Sequence, residues 1–98
     1  MYIDIFLEWS LVMKKADFTI VNETGLHARP ASLFEEEAQR FESEILIEKE
    51  GETFDAKSIV DILCAAAAKG DTITLIADGP DEGAAIDALV ALLGSFDE

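Results

Sequence analysis

The chain is poor in cysteine, histidine and positive charge, and each scarcity excludes something. Cys64 is its only cysteine, so no internal disulfide and no cysteine-based metal site can form, and a reducing, cytoplasmic setting fits. Seven Lys plus Arg stand against 21 Asp plus Glu, a formal charge of −14. Such a surface repels nucleic acid and anionic membranes, so neither is expected as a partner. One histidine among scattered carboxylates offers no ligand spacing, and neither a metal nor a cofactor is expected. Internal repeats and low-complexity linkers are absent from the sequence. What remains, 98 residues of which 50% are hydrophobic, suits one domain with a modest core.

Long apolar runs are also scarce. The opening "MYIDIFLEWSLV" is apolar but is interrupted by Asp4 and Glu8. It lacks a basic leader and a small-residue cleavage site, and a membrane span needs about 20 apolar residues. Residues 1–12 are therefore expected to be an extension or an over-called translation start, a disordered or loosely docked tail, with a partner-binding amphipathic segment as the alternative. Trp9 falls in this segment and carries no functional argument. The domain is expected over residues 13–98.

From Ala16 the patterns sharpen. Phe18 and Ile20 alternate with Asp17, Thr19 and Val21, which predicts a first strand. Ala31, Phe34, Ala38 and Phe41 recur at helical spacing, with Glu36 four residues before Arg40 for a favourable pair. "EILIEK", "EG" and "ETFDA" read as a hairpin around residues 44–56. Ser58 opens a second helical pattern through Ile59, Ile62, Leu63 and Ala66, with Gly70 as its stop. "TITLIA" is a fourth strand, and after "DGPDE" a last helix carries the stripe Ile86, Leu89, Val90 and Leu93. The order β-α-β-β-α-β-α, with one apolar face per helix, predicts an α+β fold: a four-stranded sheet with three helices on one side.

The sole imidazole, His27, lies in "TGLHARPA", where the first strand gives way to the first helix. At or near the N-cap it stands beside the outward N–H groups of Ala28 and Arg29, where the helix dipole favours an anion. That is a phosphate-binding outline. Pro30 suits the first helical turn, Gly25 permits a sharp turn ahead of it, and Arg29 adds a forked cation suited to phosphate oxygens. Histidine, with a reference pKa of about 6.5, is also a competent nucleophile for a phosphoryl group. Screening over roughly 8 Å leaves local charge in control of the site despite the acidic whole. A lone histidine near a helix start is also commonly a surface residue or an imperfect cap, and spacing alone leaves both readings open.

"TGLHARPA" resembles the active-site signature of the HPr family, the histidine-containing phosphocarriers of the bacterial phosphoenolpyruvate-dependent sugar phosphotransferase system. "AKSI", "KGDTITLIADGPDE" and the terminal helix are similar in order and spacing, so the likeness runs from about Lys14 to Phe96. The resemblance implies an open-faced antiparallel β-sandwich with three helices. It implies that His27 is phosphorylated on Nδ1 by enzyme I and passes the group to enzyme IIA components, with Arg29 steadying the phosphoryl oxygens. As a carrier, the protein is expected to be a monomer with no turnover on a small molecule by itself.

Ser58 matches the family's regulatory serine, the target in many bacteria of an HPr kinase/phosphorylase. It also reads as an N-cap, with Asp61 placed to imitate a capping box. A phosphate there brings a charge of about −2 to a docking surface. The resemblance carries partner docking to Ile59, Val60 and Leu63, of which Ile59 also suits the core. Asp61 stands where the family often has glycine or lysine, and "EEE" at 35–37 makes the first helix acidic. A partner with an acidic docking face is disfavoured by such charges, although a merely solvated helix face explains the glutamates as well. Cys64, among alanines and without an adjacent base, is expected to be a small buried hydrophobe. Two alternatives stand beside the sugar-transport reading: a nitrogen-branch or other regulatory paralogue with the same His27 chemistry, and a docking-only regulatory module.

Overall fold

The computed structural model describes residues 13–97; the expected extension at residues 1–12, with Trp9, lies outside them. Strand β1 spans Met13–Thr19, helix α1 Ala28–Gln39, strand β2 Glu44–Lys49 and strand β3 Glu52–Asp55. Helix α2 spans Ile59–Ala65, strand β4 Thr72–Asp78 and helix α3 Glu82–Ser95. The predicted element order holds. All strand pairs are antiparallel, and the sheet order is β1-β4-β2-β3.

Period-two alternation decides which side of the sheet faces the core. Ala16, Leu75, Ile47 and Phe54 lie opposite one another across all four strands, with Phe18 beside Ile73 and Ala77 beside Ile45 in flanking rows. These residues pack with the helix stripes, Ala31, Phe34 and Ala38 of α1, Ile62 of α2, and Ala85, Ile86, Leu89 and Leu93 of α3. The opposite face is mainly polar but carries Leu46 and Ile76, which lie opposite each other, and on it the Thr74 hydroxyl donates to Asp17 at 2.7 Å. Burial of the apolar row is the main driving force, and a one-residue slip of any strand would turn its charged residues inward.

Several local expectations change. β1 begins at Met13 rather than near Ala16, because its ladder to β4 runs as far as Met13 opposite Asp78. Arg40 pairs with Glu37 at 3.0 Å, not with Glu36; both spacings are allowed on a helix, and Arg40 is the C-cap, where the last turn tightens. Phe41 falls just beyond α1 and is only partly buried. α2 stops at Ala65, well short of Gly70, with Ala66 in the left-handed region at φ +49° and ψ +42°.

Asp81 joins the far end of the sheet to α3. Its carboxylate accepts from the Glu42 N–H at 2.9 Å, the Ser43 N–H at 3.0 Å and the Ser43 hydroxyl at 2.5 Å. The Ser43 hydroxyl, followed by the Glu42 N–H, holds this carboxyl below its ordinary range. A carboxyl that is more acidic folded than unfolded stabilises the fold above the unfolded value, and this contribution disappears as pH falls through the folded value. The melting-temperature advantage of wild type over Asp81→Asn is therefore expected to be full near pH 7 and to shrink below about pH 4. A difference that stays constant across the same pH series would contradict this role.

Candidate functional site

The site is built where the loop after β1 meets the end of α2. Asn22 is buried, and its amide donates to the Gly25 carbonyl at 3.0 Å, closing a tight turn. Gly25 takes φ +61°, and a Cβ at this position would press into the Ala67 carbonyl oxygen and lie 2.9 Å from Ala68 Cα. Glycine is required here both by conformation and by the approach of a second backbone. The Leu26 N–H then donates to the Ala67 carbonyl at 2.9 Å, and the Leu26 side chain enters the core.

This anchoring aims His27 outward. His27 is the N-cap of α1, with φ −89° and ψ −172°, and its side chain makes no capping hydrogen bond. The ladder opens with the Ala31 N–H donating to the His27 carbonyl at 2.8 Å, so the N–H groups of Ala28 and Arg29 belong to the first turn, where the dipole is positive. Both residues are exposed, and Pro30 is buried beneath them, fixing the turn. His27 borders a shallow depression of about 240 Å³ with Thr24, Leu26, Leu63 and Ala66–Ala68. An exposed imidazole beside a helix N-terminus and a cation can receive a phosphoryl group, because charge on its oxygens meets the positive end of α1.

The surrounding charges are locally compensated. Lys69 donates to Glu23 at 2.6 Å and, by this hydrogen bond and its charge, keeps the Glu23 carboxyl below its ordinary range. On the other side of the depression, the Ala68 N–H holds the Asp71 carboxyl low, with the Lys49 charge contributing.

Ser58 stands at the opposite end of α2. It is the N-cap, and its hydroxyl accepts from the Asp61 N–H at 3.3 Å. The reciprocal half of a capping box is absent: the Asp61 carboxylate instead accepts from the Asp55 N–H at 3.0 Å, which ties the helix start to β3. The preceding loop is held to α1, since Gln39 donates to the Lys57 carbonyl at 2.8 Å and the Lys57 ammonium to the Phe41 carbonyl at 2.5 Å. Ile59, Val60 and Leu63 are 37%, 65% and 45% exposed, so all three, Ile59 included, form an apolar surface running from Ser58 towards His27. Cys64 is exposed, not buried: with Ile62 and Ala65 on the core side of α2, the helical period turns position 64 to the solvent side.

Sequence reasoning missed Val21 and Leu33, which are also exposed, and the pair Lys49 and Asp71. The "N-x-x-G" spacing of Asn22 and Gly25 was a readable turn signal. Lys49 gave no local signal, because its role depends on a helix 16 residues away.

Comparison with known proteins agrees with this geometry. Residues 14–95 match the family described as the PTS HPr component phosphorylation site. The chain is 54% identical to the HPr-like protein Crh of Halalkalibacterium halodurans over 71 residues, 72% of this chain and 84% of that protein. It is 43% identical to the phosphocarrier protein HPr of Cupriavidus necator over 83 residues, 85% and 93% of the two chains. The crystal structure of HPr from Thermoanaerobacter tengcongensis superposes with a TM-score of 0.82 at 45% identity, covering 84% of this chain and 92% of that one. Crh of Bacillus subtilis, described as a swapped-domain dimer, gives a TM-score of 0.68 at 46% identity over 74% and 83% of the two chains.

Substituting Gly25→Ala is expected to lower stability by about 2 to 4 kcal/mol, combining left-handed strain with the clash against Ala67. Urea unfolding with an unchanged slope would measure it. A loss below about 0.5 kcal/mol would mean that the two backbones do not constrain each other.

Proposed function

The chain belongs to the HPr family of phosphotransferase-system phosphocarriers, and from that premise we propose that it carries the phosphoryl group covalently on His27. The observation that supports this most is the placement of His27: exposed at the N-cap of α1, beside the depression, within the octet that resembles the family signature. The donor is enzyme I charged from phosphoenolpyruvate, and the recipients are enzyme IIA components of sugar permeases. The lone pair of the neutral ring nitrogen, Nδ1, attacks phosphorus, and the new N–P bond forms as the bond to the donor breaks. Reversal of the same step delivers the group onward. The amides of Ala28 and Arg29 and the Arg29 guanidinium meet the phosphoryl oxygens and stabilise their charge. Partners dock on Ile59, Val60 and Leu63, whose exposure next to the depression supports this assignment.

In this reading the transfer unit is a single chain, although Crh of Bacillus subtilis and an HPr of Thermoanaerobacter tengcongensis are described as dimers. The family likeness supports reading residues 13–98 as the carrier domain and the cytoplasm as its setting. Among the described residues no helix is long and apolar enough to cross a membrane. A second, regulatory reading is favoured by the likeness to Crh proteins. In it, an HPr kinase/phosphorylase modifies Ser58, and the phosphate meets Asp61 and the apolar docking face, altering which partner binds.

Intact-mass analysis after mixing the protein with phosphoenolpyruvate, magnesium and enzyme I from the same organism tests the first reading. One acid-labile phosphoryl group is expected, with none on His27→Ala and transfer slowed about 10- to 100-fold in Arg29→Ala, the effect of losing a charge-assisted contact. No addition, with that enzyme I active on another carrier, would favour the docking-only module. A phosphoryl group on His27→Ala would overturn the assignment of the nucleophile.

A further inference from the structure

The wall of the depression opposite His27 is an irregular turn, residues 66–71, that begins with a left-handed alanine. Such a residue costs about 1–2 kcal/mol relative to a helical one, and the last carbonyls of α2 have no partner within the helix. Something outside the turn must hold it. Lys49, the last residue of β2, shares strand parity with Ile45 and Ile47 and so points to the core side, where its side chain is only 16% exposed. Its ammonium donates to the Ala65 carbonyl at 3.1 Å and the Ala66 carbonyl at 3.3 Å, and lies 3.5 Å from the Asp71 carboxylate. The three N–H directions of one ammonium are thus assigned to the two ends of one turn. A cation at the C-terminus of α2 also complements the helix dipole.

The connection to His27 runs through backbone. Asp71, held by Lys49, accepts from the Ala68 N–H at 2.9 Å and returns its own N–H to the Ala68 carbonyl at 2.9 Å. Between these fixed points lies Ala67, whose carbonyl receives the Leu26 N–H one residue before His27. The turn is further tied to the end of β1 by Gly70 N–H to Ile20 carbonyl and Ile20 N–H to Asp71 carbonyl, both 2.8 Å.

We propose that Lys49 is a positioning residue for phosphoryl transfer: its ammonium sets the Ala65–Asp71 turn, and the turn sets the backbone from which His27 projects. The inference rests on the reading of His27 as the phosphoryl carrier. Lys49 touches neither the imidazole nor the phosphoryl group. A guanidinium can span the same acceptors, whereas a methionine of similar length keeps the packing of the stem and removes every donor.

The test compares wild type, Lys49→Met and Lys49→Arg at a temperature where circular dichroism shows all three folded. Two quantities are read: amide hydrogen exchange at Leu26 and Ala68, and the rate of phosphorylation by phosphoenolpyruvate-charged enzyme I. In Lys49→Met, exchange is expected to quicken and transfer to slow by about tenfold each, the size of one lost charge-assisted hydrogen bond, and Lys49→Arg is expected to recover most of both. If either quantity is unchanged in Lys49→Met, or if Lys49→Arg is as impaired as Lys49→Met, Lys49 does not position the site. A wild-type protein that takes no phosphoryl group from an active enzyme I overturns the His27 reading itself, and the positioning role with it. That outcome is recognised from the wild-type arm alone.

Discussion

The hydrogen bond from the Leu26 N–H to the Ala67 carbonyl, 2.9 Å long, joins two segments that are irregular by necessity. One is the turn through Gly25 in its left-handed conformation, and the other follows the left-handed Ala66. Their backbones approach so closely that no side chain fits at position 25. Neither segment is kept in place by a strand ladder or a helix interior. Each relies on the other, on the Lys49 ammonium at the end of β2, and on the backbone bonds between Ile20 and Gly70–Asp71. The start of α1, and with it the direction in which His27 leaves the protein, follows from this contact. A site placed on loops but braced by such backbone contacts has the rigidity that phosphoryl transfer between two proteins requires.

The same geometry explains how a strongly acidic chain can handle an anion. The net charge of −14 is spread over the surface and screened, whereas the charges nearest His27 are compensated one by one. Glu23 is paired with Lys69, and Asp71 is occupied by the Ala68 N–H and Lys49. A phosphoryl group on His27 would meet the positive end of α1. Glu36 is exposed on α1, and surface carboxylates of this kind act on the choice and rate of docking more than on a chemical step.

Much of this was legible in the sequence because it follows from local rules. Pro30 and the apolar spacing from Ala31 to Ala38 mark the start and buried face of α1, and alternation in "EILIEK" and "TITLIA" places the sheet. Ser58 reads as a cap from its chemistry alone. The errors fall where distant residues decide. "CAAAAKG" is a run of good helix formers with no internal stop before Gly70, yet α2 ends at Ala65 because the backbone at Gly25, together with Lys49 and Asp71, draws the chain away. Cys64 is on the surface because Ile62 and Ala65 set which side of α2 faces the core, a phase that a stretch of alanines without an amphipathic stripe does not disclose. Asp61 shows the same limit: its spacing from Ser58 suggests a reciprocal cap, but the Ser58 N–H donates to the Asp55 carbonyl and the Asp61 carboxylate accepts from the Asp55 N–H.

The most direct test of the central claim, that a phosphoryl group on His27 is received by the N-terminus of α1, is an NMR comparison of backbone amide shifts before and after phosphorylation. The expected result is a downfield movement of the Ala28 and Arg29 amide protons as they become donors to phosphoryl oxygens, with Ile45, Ile47 and Leu75 in the sheet unmoved. Amides at 28 and 29 that stay in place while His27 carries the phosphoryl group would contradict it.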